Sequence, residues 1–525
     1  MADGHPTFGI NPHPSRLGFI APLAALYRVL GIHDWTTVAF PLLCSLSTVL
    51  LAAYAAGRLY GGTAGAWAAL FCGFSPILYR HGPTGLSDVP AGFLYGVFVV
   101  GWLLVVTKRV SHPRVWAVLA GVACAWAVAT RASTLPMILL TLLGFLFIGW
   151  RQATLREFPA REWFFGCCLV GFPYLFYLWW QTGTPFYFVH AAEGGYNLAG
   201  APWLRPLEGL RFAARLTGLS ILRATMEGYL FAILPVVVAV AMVGRSSSWD
   251  SGETVHRYLL VASVSPLVVL SHISTSFSEW VPVHLWLRFG SPVVIPAGIL
   301  VAGACVHFME FRLSNAARVG TGLALVAAVG LLWVGWEQGN RWSMVGAAAT
   351  IVAGLSVLLV HRMPKFFLPT VLVVLLLGNW ALYRFQEYPE ETARNAAVGR
   401  QADAVPWDPM LPILTDPFTA QVLPYVHKFE KSPAVATWKG QGEVERPFYW
   451  TERMDRPWAK KYLIVWHPAL ARIQAEQWGI EVPPWVRKEV GRGRLLRGFS
   501  GESGGGVYLI GGKHGGFTLT PKQSH

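Results

Sequence analysis

The sequence predicts a mainly α-helical, polytopic membrane protein with about 12 transmembrane helices and a small extracytoplasmic α/β domain at the C-terminal end. Three observations support this fold class. Of the 525 residues, 54% are hydrophobic and 13% are charged, whereas soluble domains average about 25% charged residues. Apolar runs long enough to span a bilayer follow one another closely, and the acidic residues are concentrated near the C-terminus. Together these features exclude a soluble enzyme, a disordered chain, a fibrous protein and a disulfide scaffold.

Residues 1–34 are predicted to be an outer-face segment that contains an interfacial helix. The stretch Leu17–Ile32 is apolar, but it carries Arg28 and follows Pro14, so it is typical of a helix lying in the membrane interface. The residues before it are polar and rich in Gly and Pro, unlike a cleavable signal peptide.

Residues 35–389 are predicted to form the transmembrane helical domain. A span needs roughly 20 apolar residues, and tilt accommodates somewhat shorter runs. The twelve predicted spans are 35–57, 63–79, 88–107, 114–130, 134–150, 162–181, 228–244, 257–276, 289–309, 318–336, 342–361 and 366–384.

The loops between the spans predict the orientation. One alternating set of six short loops contains 13 Lys and Arg residues, and the four short loops of the other set contain four. Because short cytoplasmic loops are enriched in Lys and Arg, the first set is predicted to be cytoplasmic. Both termini and the long loop 182–227 then lie outside, on the side that also carries the interfacial helix. We expect an integral protein of the plasma (inner) membrane of a prokaryote.

Residues 390–525 are predicted to be a soluble extracytoplasmic α/β domain. They hold 14 of the 28 acidic residues in about a quarter of the chain. Strands are predicted at 462–466, 495–499 and 507–510, and helices at 416–426 and 468–478. Residues 412–415 form a short apolar run.

The expected partners include membrane lipids, and neither the charge nor the cysteine content indicates nucleic acid or a metal site. The net charge of +14 lies largely in membrane-flanking loops, so nucleic acid is not expected. All six cysteines fall in apolar runs without CxxC or Cys/His spacing, which argues against zinc-finger or disulfide sites. No cofactor is indicated with certainty; a divalent metal stays open, and no ligand cluster identifies one.

Asp88 is the leading candidate for a catalytic residue. It begins a predicted span at the outer face, where a carboxylate is costly and therefore suggests function. The alternative is structural, because the sequence Ser87-Asp88-Val89-Pro90 is also typical of a helix start.

Basic residues at the same face are candidates for substrate binding, because Arg forms bidentate hydrogen bonds with phosphate. Each has an ordinary alternative as an interfacial side chain whose charged end reaches water. His284 and Arg288 lie four residues apart, so a helix would place them on one face. The full set is Arg16, Arg80, His81, Arg131, His284 and Arg288.

An ordered set of motifs spans most of residues 10–310. The set is HPSRLGFIAPLAALYRVLG, Gly57–Gly61, Ser75-Pro76, Tyr79-Arg80, Asp88 with Pro90, Thr130-Arg131, Gly183–Tyr187, and His284 with Arg288-Phe289, Pro292 and Pro296. In this order, the motifs resemble the GT-C superfamily of integral membrane glycosyltransferases, which includes the protein O-mannosyltransferases and the lipid A aminoarabinose transferases.

The resemblance implies transfer of a sugar from a polyprenyl-phosphate-linked donor to a glycan, lipid or protein acceptor at the outer face. By position, Asp88 resembles the second acidic residue of the family's outer site. Arg16 falls where such proteins present a basic residue next to Pro, and Arg288 resembles a residue that holds the lipid phosphate. Two alternatives stay open: a non-catalytic relative, and a transporter or flippase of a lipid-linked substrate.

The resemblance also implies an outer catalytic acid just after a first transmembrane helix. Asp3 is the only acid before the interfacial helix. We therefore expect the reading frame to begin upstream of Met1 and to encode that helix and acid.

Overall fold

The computed structural model describes residues 15–152, 158–187, 250–272 and 287–307 of the helical part. Nearer the C-terminus it describes residues 413–415, 435–438, 444–445, 461–466, 484–498 and 505–511, besides a few single positions. The chain divides into two compact units. Helices make up most of the described part of one unit, and a mixed sheet makes up most of the described part of the other.

The helical unit begins with eight helices that follow one another closely. They are α1 (Leu17–Leu30), α2 (Asp34–Tyr60), α3 (Gly62–Gly73), α4 (Pro76–His81), α5 (Asp88–Val106), α6 (Pro113–Thr130), α7 (Thr134–Arg151) and α8 (Ala160–Thr182). Further on come α9 (Asp250–His272), a 3-10 segment (Leu287–Val293) and α10 (Val294–His307). Helix α5 is largely buried and packs against α2, α6, α10 and the 3-10 segment.

Within the described ranges, six helices are long and apolar enough to cross a membrane. They are Trp35–Tyr60, Asp88–Val106, Pro113–Thr130, Thr134–Arg151, Ala160–Thr182 and Phe289–Val306. Each coincides with a span predicted from the sequence. Helix α1, with 14 residues, is shorter, as expected for the interfacial helix. The predicted spans 228–244, 318–336, 342–361 and 366–384 lie outside the continuously described residues.

The predicted span 63–79 is wrong as a single helix. Helix α3 ends at Gly73, and α4 begins at Pro76 after a break at Phe74 and Ser75. Proline has no amide hydrogen and its ring disfavours a helical conformation at the residue before it, so a break before Pro76 is favoured. The apolar character of the whole run concealed this break.

Small residues let neighbouring helices approach at backbone distance. A methyl group at Gly121 of α6 would overlap the carbonyl oxygen of Trp163 in α8, and one at Gly166 would overlap the carbonyl oxygen of Val118. Such contacts are typical of membrane helices, which associate through close packing where small residues line the interface. The pair α6 and α8 is therefore tightly specified.

We expect Gly166→Ala to separate α6 from α8 and to lower the free energy of unfolding by about 1–3 kcal/mol, because the added methyl group meets backbone. Thermal unfolding of the full chain in detergent measures this effect. Gly171→Ala on the same helix is the matched control, since its nearest neighbour would lie 3.9 Å away. Equal melting temperatures for the two variants would contradict the packing described above.

Contacts between loops place members of the more basic loop set at one end of the described bundle. Arg58, at the end of α2, donates from Nε to the carbonyl oxygen of Arg109 at 3.1 Å. At the same end, Arg114 of α6 pairs with Glu162 of α8 at 3.3 Å. The starts of α5 and α7 and the end of α6 lie at the other end.

The second unit contains a six-stranded sheet with strand order β3-β2-β1-β4-β6-β5. Strand β1 is parallel to β2 and β4, and the other pairs are antiparallel. Its strands are β1 (Ile413–Thr415), β2 (Val435–Trp438), β3 (Val444–Glu445), β4 (Lys461–Trp466), β5 (Arg494–Gly498) and β6 (Gly506–Gly511).

Strands β4, β5 and β6 coincide with strands that the sequence predicted, and β1 lies in the apolar run 412–415. The sequence did not predict β2, β3 or the helix α11 (Pro484–Arg492), whose Val486 is fully buried. The central strands β1 and β4 are largely buried, whereas the edge strand β5 is exposed along its length. The predicted helices 416–426 and 468–478 lie outside the continuously described residues.

Candidate active site

Asp88 lies at the first position of α5, and its carboxylate forms an ion pair with Arg131 at the end of α6. The side chains are only 5% and 11% exposed, respectively. This burial argues against the ordinary alternative for Arg131, an interfacial side chain reaching into water. Ser87, which precedes the helix, makes no capping side-chain hydrogen bond. The pair is therefore a buried polar feature between two helix ends.

Two further contacts hold the Arg131 guanidinium. Its Nε donates a hydrogen bond to Ser133 Oγ at 2.8 Å, in the turn before α7. Its Cζ lies 4.0 Å from the ring centroid of Phe289, in the 3-10 segment. An Arg over an aromatic face is attracted by the negative charge density of the ring. The guanidinium therefore connects α5, the α6–α7 turn and the 3-10 segment.

The 3-10 segment also contacts the backbone of Asp88 directly. Ser291 Oγ donates to the carbonyl oxygen of Asp88 at 2.5 Å. Gly92, one turn along α5, leaves room for this approach, since a Cβ there would lie 2.7 Å from Ser291 Oγ. Segment Leu287–Val293 is thereby held against the first turn of α5.

Arg16 approaches the same region from the start of α1. Its Nη1 donates to the hydroxyl of Ser87 at 3.3 Å. The neighbouring backbone is anchored by two donors, because Tyr174 Oη donates to the carbonyl of Ser15 at 2.9 Å and Trp126 Nε1 donates to that of Gly18 at 2.9 Å. The structure thus brings Arg16, Asp88 and Arg131 into one cluster, which we call the outer-end cluster because the loop charges predict that this end of the bundle faces outward.

Arg80 and His81 form the last turn of α4 and are half-buried. Helix α4 packs against the 3-10 segment, which itself contacts Asp88. Both residues therefore lie at the same end of the bundle as the outer-end cluster. Their role in substrate binding stays a prediction.

Arg288 belongs to the 3-10 segment, directly before Phe289. His284 lies outside the described residues. Across the part of the chain that the structure describes, no three His, Cys, Asp or Glu side chains come together in a group that could hold a metal ion.

Sequence reasoning did not assign roles to Ser87, Ser133, Phe289 and Ser291. Each lies within three residues of a predicted site residue, so proximity along the chain was the available signal. No local sequence pattern could predict that Asp88 pairs with Arg131, because 42 residues lie between them in the chain.

Comparison with known sequences gives a family match over the first third of the chain. Residues 13–181 match the sequence profile of the dolichyl-phosphate-mannose-protein mannosyltransferase family. This region contains Arg16, Arg80, His81, Asp88 and Arg131. A search of curated protein sequences gave no significant match.

Solved structures show the same fold over nearly the whole chain. ArnT from Cupriavidus metallidurans in the apo state has a TM-score of 0.54 at 14% identity, covering 95% of this chain and 88% of that protein. The crystal structure of that ArnT bound to undecaprenyl phosphate gives a TM-score of 0.53 at 14% identity, with 95% and 89% covered. The chain thus matches the dolichyl-phosphate-mannose-protein mannosyltransferase family over residues 13–181 and shares the fold of ArnT over nearly its whole length.

Proposed function

We propose that the protein transfers a sugar from a polyprenyl-phosphate-linked donor to an acceptor at the outer face of the membrane. The observation that carries the proposal is the outer-end cluster, in which a buried carboxylate and two arginines meet at the ends of apolar helices. This cluster lies within the part of the chain that matches the mannosyltransferase family.

The chemistry requires few groups. The acceptor oxygen or nitrogen attacks the anomeric carbon of the donor sugar, and the bond from that carbon to the phosphate oxygen breaks. The electron pair of that bond leaves with the polyprenyl phosphate, whose charge arginine can stabilise. A carboxylate accepts the acceptor proton. We assign this last role to Asp88, since a carboxylate has several acceptor sites and pairing with Arg131 uses only part of them.

The lipid carrier is proposed from likeness to ArnT, whose crystal structure holds undecaprenyl phosphate. Sequence supplies the rest of the donor assignment, because Arg288 resembles a residue that holds a lipid phosphate. The sugar and the acceptor, whether glycan, lipid or protein, are not specified by these features.

Deletion of the gene tests the function without requiring the donor sugar to be known beforehand. Deleting the gene in its native host should cause a polyprenyl-phosphate-linked sugar to accumulate, because its consumption stops. Mass spectrometry of the lipid extract measures the change, and the wild-type gene should reverse it. An unchanged set of polyprenyl-phosphate species would reject the proposal.

The orientation has its own test. We expect a cysteine introduced at Gly501 to react with an impermeant thiol reagent in intact cells, and one at Ser111 to remain unlabelled. The physical reason is the excess of Lys and Arg in the loop set that includes 108–114. Labelling at Ser111 without labelling at Gly501 would reverse the topology and exclude chemistry at the outer face.

Arg288→Lys is expected to weaken binding of undecaprenyl phosphate by roughly 10-fold, since Lys lacks the bidentate geometry of the guanidinium. Native mass spectrometry or a melting-temperature titration with that lipid measures the affinity. Arg28→Lys, an exposed position in the last turn of α1, is the control. Equal affinities for the Arg288→Lys variant and the wild type would remove Arg288 from the phosphate site.

A non-catalytic relative is the second candidate, and the buried ion pair itself favours it. A buried ion pair between helix ends can hold the helices in place without taking part in a reaction. The two candidates differ in whether removal of the Asp88 charge abolishes transfer or affects stability alone.

A further inference from the structure

Phe289 is a buried ring that covers the Arg131 guanidinium. The residue is 7% exposed, and its ring centroid lies 4.0 Å from Arg131 Cζ. The attraction between a cation and an aromatic face is stronger where water is excluded. This site is nearly dry, because Arg131 and Asp88 are themselves buried.

The position of the ring is set by contacts close to the backbone. Ser291, two residues after Phe289, donates to the Asp88 carbonyl oxygen at 2.5 Å. A Cβ at Gly92 would lie 2.6 Å from the carbonyl carbon of Ser291, and one at Gly96 would overlap the side chain of Ile295. Two glycines of α5, Gly92 and Gly96, therefore allow the 3-10 segment to pack closely against the first turns of α5.

The guanidinium is planar, so its orientation is determined by its edges and its faces. Nε donates to Ser133, Nη1 pairs with the Asp88 carboxylate, and Phe289 covers one face. Rotation of the guanidinium away from this plane would sacrifice the contact with the ring. The ring therefore restricts the direction from which Arg131 meets Asp88.

We propose that Phe289 is a positioning residue for the transfer reaction: by holding the Arg131 guanidinium against its face, it fixes the direction of the Asp88 carboxylate. The inference rests on the proposed function, because it presupposes that Asp88 takes part in transfer. Phe289 acts through Arg131 and makes no contact with the reacting atoms.

A graded series of fluorinated phenylalanines at position 289 of the full chain separates this role from simple packing. Fluorine withdraws charge from the face of the ring with a small change in volume, so it weakens the attraction for Arg131 step by step. We expect kcat for the lipid-linked sugar found in the deletion experiment to fall in steps by roughly 3- to 30-fold in total, with an unchanged KM for the donor.

Phe145 provides the matched control. It is fully buried in the same bundle, and its ring partners among the described residues are Phe98, Trp102 and Tyr258. The same fluorinated series at Phe145 is expected to leave the kcat unchanged. A fall in kcat of equal size in both series would indicate a general packing effect and overturn the inference.

A second measurement does not depend on turnover. The melting temperature should fall along the Phe289 series in the wild-type background and stay constant in Asp88→Asn/Arg131→Met, where no cation faces the ring. An unresponsive melting temperature in the wild-type background would overturn the inference. A kcat that stays constant along the Phe289 series would also overturn the inference. A wild-type chain that consumes no polyprenyl-phosphate sugar would instead overturn the proposed function, and the positioning role of Phe289 with it.

Discussion

Asp88→Asn is expected to lower the rate of glycosyl transfer by roughly 100- to 10,000-fold, the range typical of a lost general base. Asparagine keeps the shape of the side chain, but its amide cannot act as the general base that accepts the proton. The rate should be measured with purified full-length protein and the lipid-linked sugar that accumulates on deletion of the gene. Binding of undecaprenyl phosphate should persist, which would separate lost chemistry from lost donor binding.

Asp34→Asn is the matched control for this variant. Helix α2 begins at Asp34 as α5 begins at Asp88, so both substitutions change an acid at the first position of a helix. We expect the transfer rate of the Asp34 variant to stay within about twofold of the wild type, because a charge at a helix N-terminus contributes only about 0.3–1 kcal/mol to stability and Asp34 has no assigned role in transfer. Full activity in Asp88→Asn would identify Asp88 as a structural residue and favour the non-catalytic interpretation of the ion pair.

Arg131→Met is expected to lower the free energy of unfolding by about 3–5 kcal/mol, because the substitution leaves the buried Asp88 carboxylate without its partner. Reversible unfolding in mixed detergent, or the melting temperature where unfolding is irreversible, measures the loss. Arg114→Met is the control. The Arg114–Glu162 pair has a length of 3.3 Å, but Arg114 is 82% exposed, so its loss should cost about 0–1 kcal/mol.

The double variant Asp88→Asn/Arg131→Met tests whether the two effects arise from one interaction. Its stability should recover most of what Arg131→Met loses, because neither buried charge remains. Its transfer rate should stay as low as that of Asp88→Asn. Strictly additive losses of stability would show that the two side chains do not depend on each other, contrary to the ion pair in the structure.

Apolar runs and the residues that interrupt them made much of the helical unit predictable. Helix α5 combines an apolar run of span length with the start Ser87-Asp88-Val89-Pro90, and the structure begins the helix at Asp88. The same method failed at 63–79, where the apolar residues on both sides of Pro76 concealed the interruption before it. It also missed β2 and β3, because strands of four and two residues are too short to show an alternating pattern.

The sequence by itself determined the class of protein and the candidate residues of the site. Apolar runs must bury their backbone as helices in lipid, and a carboxylate or arginine beside such a run is conspicuous because its burial is costly. Only the tertiary structure decided that Asp88 pairs with Arg131, that Phe289 covers the guanidinium and that Arg16 reaches Ser87. These contacts join residues that are distant in the chain. They depend on how the helices pack, and that packing follows from small residues such as Gly18 and Gly92, whose neighbours are not encoded locally.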